Sequence, residues 1–481
     1  VQLETVIGLE VHAQLLTKSK MYCGCSAEYA NAEPNTHVCQ VCLGLPGALP
    51  VMNRAAIEGA MLTGLALQCD IPGFCKLDRK NYVYPDLPKG YQISQYDLPL
   101  CINGVLEFEA GGKTVRAGIT RVHIEEDTGR LVHRSEGGRD VSLVDLNRSG
   151  VPLMEIVGEP DLRSPEEARE YLVALQQILR YIGVSTGNME EGAFRCDANV
   201  SVRPLGSSEF GSKVEIKNMN SFRAVERALR YEVERQSAAF AAGEAIPQET
   251  RGWVEAQGIT VSQRTKEQAH DYRYFPEPDL PPLYVEQTWV DEVGARMPEL
   301  PSARKARLVS ELGLSEADAA TLTADRAIAD QFEETVSGNT EIARSAANWI
   351  INDGLGIARA RGLAADELPF SPAQLRELIE AVAGNELTMR AAKELLPQLE
   401  ANESPRAAAK RLNLVSLDDT DALRAAVAST LAAFPAAVSD YRGGKKAAIG
   451  RLIGETIKAT GGRANPDTVR GLLEEALNQG E

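Results

Sequence analysis

The segment Thr5–Ala13 limits the possible folds more than any other stretch, because its residues alternate strictly. Ile7, Leu9, Val11 and Ala13 are apolar, and Gly8, Glu10 and His12 fall between them. A period of two sends the first set to one side of a strand and the second to the other. Such a strand belongs in a sheet with one buried and one polar face, the habit of antiparallel sheets. Arg121–Glu125 and Ala198–Arg203 read the same way, and Glu215 and Lys217 share one side of a further short strand. Amphipathic helices intervene. Ser164–Tyr181 opens with Ser-Pro-Glu-Glu, an N-cap, a proline at the first helical position and acids suited to the helix dipole. Ser221–Ala242 reads as a second long helix.

The texture changes at Met297-Pro-Glu-Leu-Pro301. Before it lie all five histidines; after it Ala, Leu, Glu and Arg recur at helical spacing, so the remainder reads as all-α, with a break near Asn402–Arg406. Three domains are expected, 1–294, 295–405 and 406–481, as suits 481 residues at ~100–200 per domain. No apolar run approaches the ~20 residues needed to cross a bilayer. Glu4 and Glu10 interrupt any secretory signal at the N-terminus. A cytoplasmic chain with no membrane association is expected, and eight cysteines there do not imply a disulfide framework. The net charge of −17 disfavours nucleic-acid binding if charge alone decides. The balance is uneven, however: +2 from Arg406 onward and −19 before it. The C-terminal end is therefore the part best suited to RNA.

Glu10 and His12 stand on one strand face, which reads either as a solvated surface or as part of a cation site. Other strands carry carboxylates in similar settings: Glu125, Glu126 and Asp127 before a glycine turn, Asp197 with Asn199, and Glu215 with Lys217. Several carboxylates with one imidazole favour Mg²⁺ or Mn²⁺ over a soft-ligand metal. Bound Mg²⁺ serves ATP chemistry by relieving repulsion between a carboxylate and the γ-phosphate. No phosphate loop of the G-x-x-x-x-G-K-[ST] type is present: Gly111-Gly-Lys-Thr has Glu107 where the first glycine belongs and reads as a hairpin turn. The Asp78–Gln95 run offers Arg79, Lys80 and Lys89 as phosphate clamps and Tyr82, Tyr84 or Tyr91 for stacking, or else packs as a surface loop. Cys23, Cys25, Cys39 and Cys42 have the spacing of a tetrahedral thiolate zinc site, with His37 able to replace one ligand. A closed set argues for structural Zn²⁺. No G-x-S-x-G elbow and no glutaminase-type cysteine arrangement is found, so ammonia release falls to a partner.

Long runs resemble the GatB family, the B subunits of aspartyl/glutamyl-tRNA amidotransferases. They are Glu4–His12, Asp78–Gln95, Gly118–Gly129, Val144–Val157, Met189–Ser201, Glu215–Phe222 and Asp271–Asp279, in order over the first ~285 residues. Gly443–Leu473, with Lys445-Lys446 and Asn465-Pro-Asp-Thr-Val469, resembles the YqeY-type tail of the same family. The resemblance implies an α+β chain: a glutamine-synthetase-like antiparallel-sheet catalytic domain with the cysteine insertion at 23–42, then a helical domain and a tRNA-binding tail, where Lys445, Lys446, Arg451 and Lys458 are candidate contacts. It implies phosphorylation by ATP of the side-chain carboxylate of Glu-tRNA(Gln) or Asp-tRNA(Asn), then amidation by ammonia. An amidase subunit would release that ammonia from glutamine, a small third subunit would complete a heterotrimer, and a non-discriminating aminoacyl-tRNA synthetase would be a further partner. Family metal ligands carry over onto Glu10, His12, Glu126, Asp197 and Glu215, with Glu125 close by. Strand alternation puts Glu125 on the His123 side and Glu126 on the other, so a regular strand cannot aim both at one metal; a bulge could. An autonomous ATP-dependent carboxylate–amine ligase and a non-catalytic tRNA scaffold remain the alternatives.

Overall fold

The structure, a computed structural model, describes residues 2–265, 271–364, 366–417 and 420–478. It divides into two compact units, Val1–Leu300 and Pro301–Glu481. The first is built on an eight-stranded sheet. Its strands are numbered here β1 (Leu3–Gln14), β2 (Cys101–Ala110), β3 (Lys113–Glu126), β4 (Pro152–Gly158), β5 (Phe194–Pro204), β6 (Val214–Lys217), β7 (Glu249–Val254) and β8 (Ile259–Thr265). Their spatial order is β8-β7-β6-β5-β1-β4-β3-β2, antiparallel throughout except for the parallel pair β6–β7.

The period-two pattern sets this layer. Leu9, Val11, Ile124, Ile156, Ala198 and Ile216 are buried in one core with side chains of α1 (Arg54–Ala66), α2 (Pro165–Tyr181) and α3 (Phe222–Ala241). Each large aliphatic side chain removed from water there contributes roughly 1.5–3 kcal/mol. The helices begin where the sequence indicates: Ser164 accepts from the Glu167 amide and Ser221 from that of Ala224. With helices packed on the apolar side, the opposite face is left to the polar residues. Strands β2 and β3 meet at Gly111 and Gly112, whose φ of 58° and 75° supply the left-handed pair that a two-residue turn needs. Gly111-Gly-Lys-Thr is therefore a hairpin. The Asp78–Gln95 run is itself folded: Asp78–Asn81 pairs with Tyr91–Ser94 and with Phe275–Pro276 in a small separate sheet.

Helices are the regular elements of the second unit among its described residues. One core runs from Leu308 to Leu414 around Phe332, Trp349 and Leu375, and another from Leu423 to Leu477. Helix Pro405–Arg411 puts Ala408 and Ala409 into the first core, so it packs with what precedes it. Among the described residues no single helix is long and apolar enough to cross a membrane.

Candidate active site

Sheet register gathers the polar residues. His12 on β1 lies opposite Glu155 on β4 and Arg195 on β5, and Glu155 lies opposite His123 on β3. One row thus crosses four strands on a single face, as directly opposed residues do. Glu125, two residues on from His123, joins it. His12 Nε2 stands 3.4 Å from Glu125 Oε1 and 3.5 Å from Glu155 Oε2, while His123 Nε2 is 3.2 Å from Glu155 Oε2. One ligand atom from each of His12, Glu125 and Glu155 lies within 4.8 Å of the others, close enough to share an ion. Ser94 Oγ donates to the second oxygen of Glu125 at 3.1 Å. Lys80, on the small sheet, sits 5.1 Å above the Tyr272 ring, and its charge acts on both Glu125 and Glu155.

The electrostatics follow from this packing. Burial works against a charged His12 ring, but Glu155 and Glu125 outweigh it and hold the pKa up at about 10. Burial likewise works against ionised carboxylates. Even so, His12 and Lys80 hold Glu125 below the usual range, and His123 and His12 hold Glu155 well below it. Burial also opposes the Lys80 ammonium, which Glu125, Tyr274 and Glu155 raise. The face therefore carries ionised carboxylates at neutral pH, together with a proton on His12 that a bound cation would displace.

The other expected ligands lie on the neighbouring strands. Glu10 is opposite Asp197 and accepts from Asn199 Nδ2 at 2.8 Å. Asp197 and Glu215 share Lys217, and Thr250 Oγ1 donates to Glu215 at 2.7 Å. These carboxylates share the face, but Asp197 and Glu215 gather at Lys217 rather than at His12, and Glu10 is held by Asn199. Glu126 departs from the expected set. It follows the parity of Val122 and Ile124, forms a buried ion pair with Lys89 and accepts from the Ile93 amide. The bulge that would turn it toward His12 is absent: the only register shift between β3 and β4 lies back at Ile119/Arg121. With Tyr22 and Tyr91 the Lys89–Glu126 pair lines a cavity of about 190 Å³.

Two of the expected phosphate clamps are already occupied. Arg79 makes two hydrogen bonds to Glu277, at 2.7 and 2.8 Å, and a third to Asp279, with its guanidinium over the Tyr91 ring. Lys89 is taken by Glu126. Lys80 alone of the three has no carboxylate within ion-pair distance among the described residues. Tyr82 meets Tyr272 edge-on, and Tyr96 stacks on Tyr274 at 4.3 Å between centroids, so aromatic rings cluster around Lys80.

Cys23, Cys25, Cys39 and Cys42 also converge, each offering a sulfur within 4.8 Å of the rest, and none is in a disulfide. His37 is outside that group. The neighbouring Cys23 thiol holds Cys42 down at about 4, helped by the Cys39 backbone and Lys20 against burial, while burial pushes Cys25 up to about 11. The four expected tRNA contacts are exposed: Lys445 pairs with Asp440, Lys446 lies over Tyr441, Arg451 lies over Phe434, and Lys458 faces outward.

Sequence reasoning missed Glu155, His123 and Ser94. The signal for Glu155 was present: it is an acid inside the apolar run Pro152–Val157, where a charge needs a reason.

Residues 5–291 match the family model described as the GatB/GatE catalytic domain, and residues 330–477 match one described as the GatB domain. The B subunit of aspartyl/glutamyl-tRNA(Asn/Gln) amidotransferase from Thermomicrobium roseum is 59% identical over 479 residues, which cover 99% of both chains. The B subunit of the same name from Moorella thermoacetica is 52% identical over 475 residues, 98% of this chain and 99% of its own, and that from Roseiflexus castenholzii is 53% identical over 479 residues, 98% of each.

Proposed function

The chain belongs to the GatB family of tRNA-dependent amidotransferase B subunits, and we propose that its His12–Glu125–Glu155 cluster is where the side-chain carboxylate of Glu-tRNA(Gln) or Asp-tRNA(Asn) is activated by ATP. The observation that carries this reading is the meeting of one imidazole and two carboxylates from three strands within ligand distance, beside the uncommitted Lys80. The donor set fits a hard divalent cation. Mg²⁺ held there would neutralise phosphate charge as the carboxylate approaches it.

The chain's own residues do the rest. His123 and Ser94 hold Glu155 and Glu125 in place, as supporting hydrogen bonds do around metal ligands. Lys80 offsets negative charge on the transferring phosphoryl oxygens. Glu10, Asp197 and Glu215, with Lys217, continue the charged face toward the rest of the nucleotide. The acyl phosphate so formed must be kept from water until ammonia arrives. Ammonia comes from glutamine through the amidase partner, and a small third subunit makes up the heterotrimer. The thiolate loop holds structural Zn²⁺, residues beyond Leu414 form the tRNA-binding tail, and the complex works in the cytoplasm.

The test is E155Q in the reconstituted complex. Amide formation on charged tRNA is expected to fall by on the order of 100-fold or more, with tRNA affinity and glutamine hydrolysis kept. Wild-type amidation by E155Q would sink the assignment.

A further inference from the structure

Lys20 is 1% exposed, one of the largest fully buried side chains in the protein. Among the described residues no carboxylate lies within ion-pair distance of its ammonium. Nζ donates instead to two backbone carbonyls, those of His37 at 2.7 Å and Leu146 at 3.4 Å. Carbonyl dipoles satisfy donors but supply no net charge. An ammonium taken out of water without a counter-ion costs several kcal/mol, so a buried lysine of this kind calls for an anion nearby.

The thiolate loop supplies one. At Gly150, where φ is +86°, an added Cβ would stand 3.5 Å from both Cys42 Cβ and Lys20 Cδ, so a single glycine separates the two side chains; Glu126 Oε2 is next, at 3.9 Å from that point, but the Glu126 carboxylate is already neutralised by Lys89. Four thiolates around one divalent cation carry a net charge of −2, the only large negative charge such a site could present to Lys20. We propose that Lys20 is the buried counter-cation of the four-cysteine site and a determinant of its affinity for zinc. This rests on the zinc reading above.

The same contacts give the site a reach beyond its loop. Lys20 ties His37, in the cysteine loop, to Leu146. His37 N donates to Asn147 Oδ1 at 2.8 Å, and Met21 N donates to the Gly150 carbonyl at 2.7 Å. Residues 146–150 lead directly into β4, which carries Glu155. The cation thus links the thiolates to the entry of a strand that builds the active face.

The experiment measures zinc content and the rate of zinc transfer to a chromogenic chelator for the full chain and its K20M and K20R variants. One zinc per chain is expected in the wild type, release 10–100-fold faster in K20M, and near-wild-type release in K20R, which keeps the charge. Wild-type release from K20M overturns this inference and leaves the zinc reading standing, whereas a zinc-free wild type overturns both. If K20M does not fold, the charge-matched K20M/C39H chain carries the test, since a neutral imidazole removes one negative charge. Recovery of folded, zinc-loaded protein supports the counter-cation, and no recovery overturns it.

Discussion

The two candidate metal centres of the first unit are assembled in opposite ways. The thiolates come from one loop between Cys23 and Cys42, whereas His12, Glu125 and Glu155 come from three strands far apart in the chain. The first set is soft, closed and local. The second is hard and held by sheet register. A closed thiolate set stabilises a loop; an oxygen-rich set beside a free cation suits phosphoryl chemistry. The same contrast recurs within two adjacent residues, since Glu125 faces His12 while Glu126 is locked to Lys89.

The sharpest break of that contrast is E125Q against E126Q. E125Q is expected to cut ATP-dependent amidation by on the order of 100-fold or more, measured on charged tRNA at matched folded fraction, with some loss of stability as well because Glu125 is buried against His12 and Ser94. E126Q leaves Lys89 buried without its partner and is expected to cost about 3–5 kcal/mol of stability, measured by denaturant unfolding. Equal losses of activity at matched folded fraction would erase the distinction between the two faces. Next comes removal of the soft metal. Chelation, or C39S, is expected to lower stability by about 2 kcal/mol or more, through loss of a ligand that only the folded state holds, and to raise the Mg²⁺ concentration that amidation needs, through the Lys20 link from the thiolate loop to the entry of β4. An unchanged Mg²⁺ dependence would show that the two centres are independent.

A smaller effect is expected from the tail. Removing everything after Leu417 takes away Lys445, Lys446, Arg451 and Lys458, and is expected to weaken tRNA binding roughly tenfold with a shallower salt dependence, sparing glutamine hydrolysis. Unchanged affinity would move the RNA contacts elsewhere. The smallest test uses a carboxylate outside both centres. Glu58 bonds Arg54, Trp289 and Arg296, and although its partial burial works the other way these partners hold its pKa down at about 2. A depressed carboxylate stabilises the fold above its unfolded pKa, near 4.3, and that stability drains away as pH falls toward 2. E58Q is therefore expected to lower the unfolding free energy at pH 6–7, by no more than about 1 kcal/mol for so shallow a link, with the difference closing as pH falls from 4.5 to 2. A pH-independent difference would mean that packing, not charge, is lost.

Period and spacing sufficed for several features whose parts are neighbours in the chain. The strand at Thr5–Ala13, the helices capped by Ser164 and Ser221, the hairpin at Gly111–Gly112 and the four cysteines could all be read from local sequence, because backbone geometry and ligand spacing act over a few residues. Alternation even separated Glu125 from Glu126, although family likeness alone would have chosen the latter. Register was another matter. That Glu155 stands between His12 and His123 depends on how three distant strands align, and a slip of one residue would send each side chain to the other face. The same holds for Arg79, whose partners Glu277 and Asp279 lie nearly two hundred residues away, and for Lys20, whose burial comes from a loop folding over it. Local sequence determined which residues could act; long-range pairing, driven by burial of the apolar face, decided which of them meet.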